Sequence, residues 1–284
     1  MAIDDNVPAK ARPGHAPGAG IRTSIGLLLL VGGLYVGSQG LTELTDRSIG
    51  ALCILLALPI CWSSFWRARV RRRAFRDFYL TPDGSWHRWI RGGIVMLGTR
   101  LLIALALALL LVIGLARLEA RAFWVVLLIT ALLWPLSYVA CRQLVARQAN
   151  PRFHRLLATR MHMAAWFAVL LLVLVALAFF EPVPDVRGLS LDEAVMRFTL
   201  GYPAQSQALD WGLVASEALR ALPHWLIQNL GQSLPSRILS WLAWALVLLR
   251  EWLFAWPLLL LFQAGQDMLD AGIRDRLREA GLTQ

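Results

Sequence analysis

Charge is scarce in this chain. Only 16% of its 284 residues are Asp, Glu, Lys or Arg while 58% are hydrophobic, and the mean hydropathy is +0.57; soluble domains carry roughly 25% charged residues. That balance excludes a water-soluble globular core. Lysine is almost missing, since Lys10 is the only one. The formal charge of +10 therefore rests on arginine, a bias that fits a GC-rich bacterial coding sequence. Cysteine is equally sparse. Cys53, Cys61 and Cys141 each fall in an apolar stretch with no CxxC spacing, which excludes a disulfide framework and a zinc site. No HExxH, GxSxG or phosphate-loop string occurs. The five histidines, His15, His87, His154, His162 and His224, fall outside the centres of the apolar runs, so a pair of intramembrane haem ligands cannot be built. The chain reads as non-enzymatic, and no cofactor is expected.

Long hydrophobic runs are what the chain has in quantity. A bilayer core about 30 Å thick is crossed by about 20 apolar helical residues. Six runs qualify: 23–40, 49–66, 94–116, 122–141, 163–181 and 237–262. Trp62, Trp66, Trp124, Trp166, Trp241 and Trp244 mark several of their ends, where the indole prefers the headgroup zone. The expected fold is all-α: a polytopic bundle of six transmembrane helices with basic cytoplasmic hairpins and one external helical loop.

Arginine asymmetry sets the direction of threading. The N-terminal arm, the 67–93 loop, the 142–160 loop and the C-terminal tail hold 3, 8, 5 and 3 basic residues, nineteen together, against six in the three loops on the opposite side. By the positive-inside rule both termini are cytoplasmic. The expected layout is a disordered arm over 1–22, five spans with basic loops over 23–181, an external loop over 182–236, a sixth span over 237–262 and a cytoplasmic tail over 263–284. Residues 23–40 lack a signal-peptidase site, so the first span reads as a retained anchor. The location implied is the bacterial inner membrane.

Both basic loops read as helical hairpins, turned at Thr81-Pro82-Asp83-Gly84 and broken at Asn150-Pro151. Arg67, Arg69, Arg71, Arg72, Arg73 and Arg76 lie beside the membrane, where such clusters meet anionic lipid headgroups. No RNA- or DNA-binding motif accompanies them. Nucleic acid is therefore not an expected partner.

Arg250 and Glu251 are the costliest residues of the sequence. They lie mid-way along the sixth run, where each charge costs about 2.5–3.5 kcal/mol of insertion energy. At 100° per residue, Trp241, Trp244, Trp252 and Trp256 form one stripe and Arg250 projects from the opposite face. One reading is an ion pathway or substrate counter-ion. The other is an ion pair that fixes helix packing, with Arg100 as a candidate partner. A pathway needs the charged face hydrated; a packing role needs it dry. Gly33-x-x-x-Gly37 is a second constellation, read as a close helix contact within the chain in preference to a dimer contact.

The external loop opens with Ser190-x-x-Glu193, a capping-box pattern. Leu222, Trp225, Leu226 and Leu230 then recur at helical spacing, as in an amphipathic helix on the outer surface. The loop serves either as a solvated cap or as the docking site of a membrane or periplasmic partner. Together these features suggest a membrane component that assembles with an envelope complex; a small transporter or channel subunit using Arg250 and Glu251 is the alternative.

Overall fold

The computed structural model describes residues 18–79, 94–117, 121–148, 154–180, 183–199, 204–230 and 236–279. Their backbone forms α1 (Gly18–Ser38), a short 3-10 turn (Leu41–Glu43), α2 (Asp46–Tyr79), α3 (Ile94–Ala116), α4 (Arg121–Gln148), α5 (His154–Phe180), α6 (Leu191–Thr199), α7 (Gln207–Leu230) and α8 (Ser236–Glu279), with no strand among the described residues. Six of these helices, α1 to α5 and α8, are long and apolar enough to cross a membrane. The protein is a multi-pass membrane protein.

Helix boundaries depart from the apolar runs for identifiable reasons. The α2 helix continues to Tyr79, because arginine is a good helix former and no residue between Ser63 and Tyr79 breaks the backbone. The α5 helix starts at His154, nine residues before the apolar run. Residues 18–22, expected in a disordered arm, are the first turn of α1; residues 1–17, the 81–84 turn and Asn150-Pro151 lie outside the described residues. The largest correction is to the C-terminal boundary. Apolar packing runs on to Leu269, and Phe262, Gln263, Ala264 and Gln266 are buried, so 263–269 belongs to the bundle and not to a tail. Pro59, Pro135 and Pro257 all sit inside unbroken helices.

The α8 helix is the axis of the bundle, packing against α1, α2, α3, α5 and α7. Trp134, Phe123 and Phe262 are the bulkiest fully buried side chains of the core. Close approach at the axis relies on glycine. A Cβ on Gly26 would lie 2.6 Å from Leu269, one on Gly265 would lie 3.3 Å from Leu27, and one on Gly114 would run into the Phe254 ring. Gly33 and Gly37 do not serve this purpose: nothing lies within 4 Å of a Cβ at either, and both are exposed. Their spacing gave the right kind of contact on the wrong face of α1, because sequence spacing does not say which face meets the neighbour.

A smaller structure sits at one end of the bundle. Its own apolar cluster is Val186, Ala194, Phe198 and Ala221, from α6, α7 and the segment before α6. Gln228 and Asn229 accept the backbone N–H groups of Val186 and Gly188 at 2.8 and 2.7 Å, and Gly188 takes the left-handed φ of +72°. The α7 helix joins this cap to the bundle. At its start Ser206 Oγ donates to Asp46 Oδ1 at 2.5 Å and the Ala208 N–H reaches the same oxygen at 3.3 Å. The first acidic residue of α2 thus caps a second helix, offering negative charge to both N-termini.

Candidate functional site

The helical stripe expected on α8 is present. Trp241, Trp244, Trp252 and Trp256 are exposed, while Arg250 and Glu251 retain only 6% and 3% of their surface. Arg250 Nη1 lies 3.1 Å from Glu251 Oε1. The other carboxylate oxygen, Oε2, lies 3.7 Å from Arg117 Nη2, and Arg117 Nη1 donates to Ser216 Oγ at 3.0 Å. The next residue of α7, Glu217, pairs with Arg220 one turn on at 3.5 Å. Glu217 is fully buried, and neither of its oxygens accepts a hydrogen bond. The Arg220 guanidinium also lies 5.4 Å above the Phe198 ring, tying α7 to α6. These side chains form one polar layer at the junction of the bundle core and the cap, built from α8, α7 and the end of α3.

The partner of Glu251 is Arg117 and not Arg100. Arg117 follows the last residue of α3, whereas Arg100 lies near its start, about 26 Å away along the helix at 1.5 Å per residue. Phe254, one turn from Arg250, packs against Gly114 and Phe123, at the end of α3 and the start of α4. The apolar part of α8 has 33 residues, about 50 Å against a hydrocarbon thickness of about 30 Å. It is therefore longer than a perpendicular crossing requires.

Such a layer has a definite energetic character. Taking charges out of water costs several kcal/mol per ion after relaxation, and the mutual attraction offsets this only where each charge keeps partners. Glu251 keeps two guanidiniums. No family model, no curated protein and no solved structure matches this chain.

A second buried polar network lies toward the opposite end of α8. Ser63 Oγ donates to Asp267 Oδ2 at 2.6 Å, and Gln263 Nε2 donates to Asp267 Oδ1 at 3.1 Å. Trp134 Nε1 donates to Gln266 Oε1 at 2.8 Å, and Trp166 Nε1 donates to Ser137 Oγ at 2.8 Å. His162 Nε2 lies 3.1 Å from the Trp134 carbonyl and 3.0 Å from Ser137 Oγ. Sequence reasoning placed His162 just outside a span and Gln263, Gln266 and Asp267 in a tail. Their i, i+3, i+4 spacing on one helix face is the available signal, and it lies beyond the end of the apolar run at residue 262.

Other expected site residues are only partly placed. Arg67 and Arg69 are half-buried at the end of the α2 span, with Arg69 5.4 Å from the Trp66 ring centroid. The backbone at Arg71, Arg72, Arg73 and Arg76 is helical, and their side chains lie outside the described residues. The capping box is formed: Ser190 N–H and Oγ both donate to Glu193 Oε2 at 2.8 Å, and the Glu193 N–H returns to Ser190 Oγ at 3.3 Å. The amphipathic face of α7 is a different one from that expected. Leu209, Leu213, Glu217 and Ala221 are buried; of the expected face Trp225 packs against the cap cluster and donates to the Leu189 carbonyl at 2.8 Å, while Leu222, Leu226 and Leu230 are half-buried.

Proposed function

We propose that this chain is a non-enzymatic component of the bacterial inner membrane, with both termini cytoplasmic, that assembles with a membrane or periplasmic partner in an envelope complex. The observation that carries this reading is the closure of the charged layer. Arg250 and Glu251 are buried, and Arg117 pairs with Glu251 while donating to Ser216, an enclosed arrangement suited to fixing helices and unsuited to passing an ion. The cap adds a surface for a partner, with Met196, Trp211 and Ile227 exposed and the acidic Asp185 and Asp192 exposed as well. At the basic end, Arg67, Arg69, Arg71, Arg72, Arg73 and Arg76 meet anionic lipid headgroups. No role in nucleic-acid binding is proposed.

Substitution of the charged layer tests the reading. Glu251→Leu strands two guanidiniums and should cost about 3–5 kcal/mol of stability, as breaking a buried ion pair does. Replacing Arg117, Arg250 and Glu251 together by Leu should be close to neutral, because no charge is left behind. The expected outcome is a triple variant that unfolds near the wild-type temperature and complements a deletion strain. A folded triple variant that fails to complement would instead assign the charges to an ion or substrate pathway.

A further inference from the structure

A groove of about 580 Å³ runs along the first turns of α8, lined by Arg237, Ser240, Trp241, Trp244 and Leu248. We propose that it binds an anionic phospholipid from the leaflet at the cap end, with the phosphate at Arg237 and one acyl chain along Trp241, Trp244 and Leu248. Four of these residues recur at i, i+4, i+7 and i+11, so they share one helix face. From Arg237 to Leu248 the rise is about 16 Å, enough to run from the headgroup layer into the hydrocarbon edge of one leaflet. The wall beyond Arg237 and Ser240 is apolar, and Trp241 and Leu248 keep 73% and 41% of their surface.

Depth along the bundle agrees with that placement. The Trp244 ring meets Phe179 with centroids 5.4 Å apart, so Trp244 is level with the end of the α5 span at Phe180. Arg237 is about two turns further out, about 10 Å, where an extended guanidinium reaches back to the headgroup layer. Arg237 makes no ion pair or hydrogen bond among the described residues, and it is the only charged side chain lining the groove. A soluble anion would have no use for the apolar wall, and a neutral lipid would have none for the guanidinium. The site is distinct from the basic extension of α2, which leaves the other end of the bundle, and it stands independently of the assembly role.

The test uses the full-length protein in mild detergent with phosphatidylglycerol carrying a photoreactive group in its acyl chain, and maps the crosslinks by mass spectrometry. Crosslinks should fall within 237–248, be displaced by unlabelled phosphatidylglycerol, and resist phosphatidylcholine of the same chains. Arg237→Gln should weaken labelling there about fivefold, the equilibrium factor of one basic residue near an anionic surface. Arg237→Lys should retain it, and labelling at 67–79 should be unchanged by either substitution. Labelling of 237–248 that ignores Arg237→Gln, or that phosphatidylcholine displaces equally well, would overturn the proposal and reduce the groove to ordinary lipid solvation.

Discussion

At Gly114 a hydrogen is the largest substituent that fits. A Cβ there would enter the Phe254 ring, and Phe254 is itself buried and held against Phe123 with centroids 5.4 Å apart. Overpacking of this kind costs about 1–3 kcal/mol. Gly114→Ala should therefore lower the thermal unfolding temperature, and Phe254→Leu in the same chain should recover part of the loss by opening space. Gly33→Ala, in contrast, should stay within about 0.5 kcal/mol of wild type, since its Cβ would meet nothing. Equal loss from Gly33→Ala and Gly114→Ala would mean that α1 packs through its exposed glycine face. Gly26 is an intermediate case, because the atom it would meet is the flexible end of Leu269.

At the scale of elements, α6 depends on a local device and α8 on its length. The nine-residue α6 is too short to persist alone in water, where isolated helices below about 12–15 residues are marginal. Its capping box and its contacts with α7 hold it. Glu193 is kept below the usual carboxylate range by the Ser190 backbone N–H and then by the Ser190 hydroxyl. A folded pKa depressed in this way contributes stability that is fully present above the unfolded value and is lost as pH falls through the folded one. Hydrogen exchange of the 191–199 amides should accordingly quicken, after correction for intrinsic rates, below a pH of about 4. Glu193→Gln, which keeps the acceptor but cannot titrate, should remove that step. An unchanged step in Glu193→Gln would transfer the pH dependence to other groups of the cap.

For the whole molecule, the threading expected from arginine bias has a direct test. In a cysteine-free background, cysteines placed at Ser85 and Gln207 should label from opposite sides of the membrane, Ser85 from the cytoplasm. Labelling of both from one side would refute the six-span arrangement. Composition and hydropathy by themselves determined that the chain is all-helical and crosses a membrane, because a bilayer core leaves an apolar run of this length few choices but a helix. The capping box of α6 and the opposed faces of α8 were legible for the same reason: both are local, set by spacing along one helix. Tertiary structure decided what depends on which helices become neighbours and at what height. It selected Arg117 over Arg100 as the partner of Glu251, Gly26 and Gly114 over Gly33 and Gly37 as close contacts, and a buried place for His162, Gln263 and Gln266. The ion-pair partner and the burial of Gln263 and Gln266 turn on the axial offset of α8 against shorter helices, the glycine contacts on which face of α1 meets its neighbour, and periodicity within a single helix is silent on both.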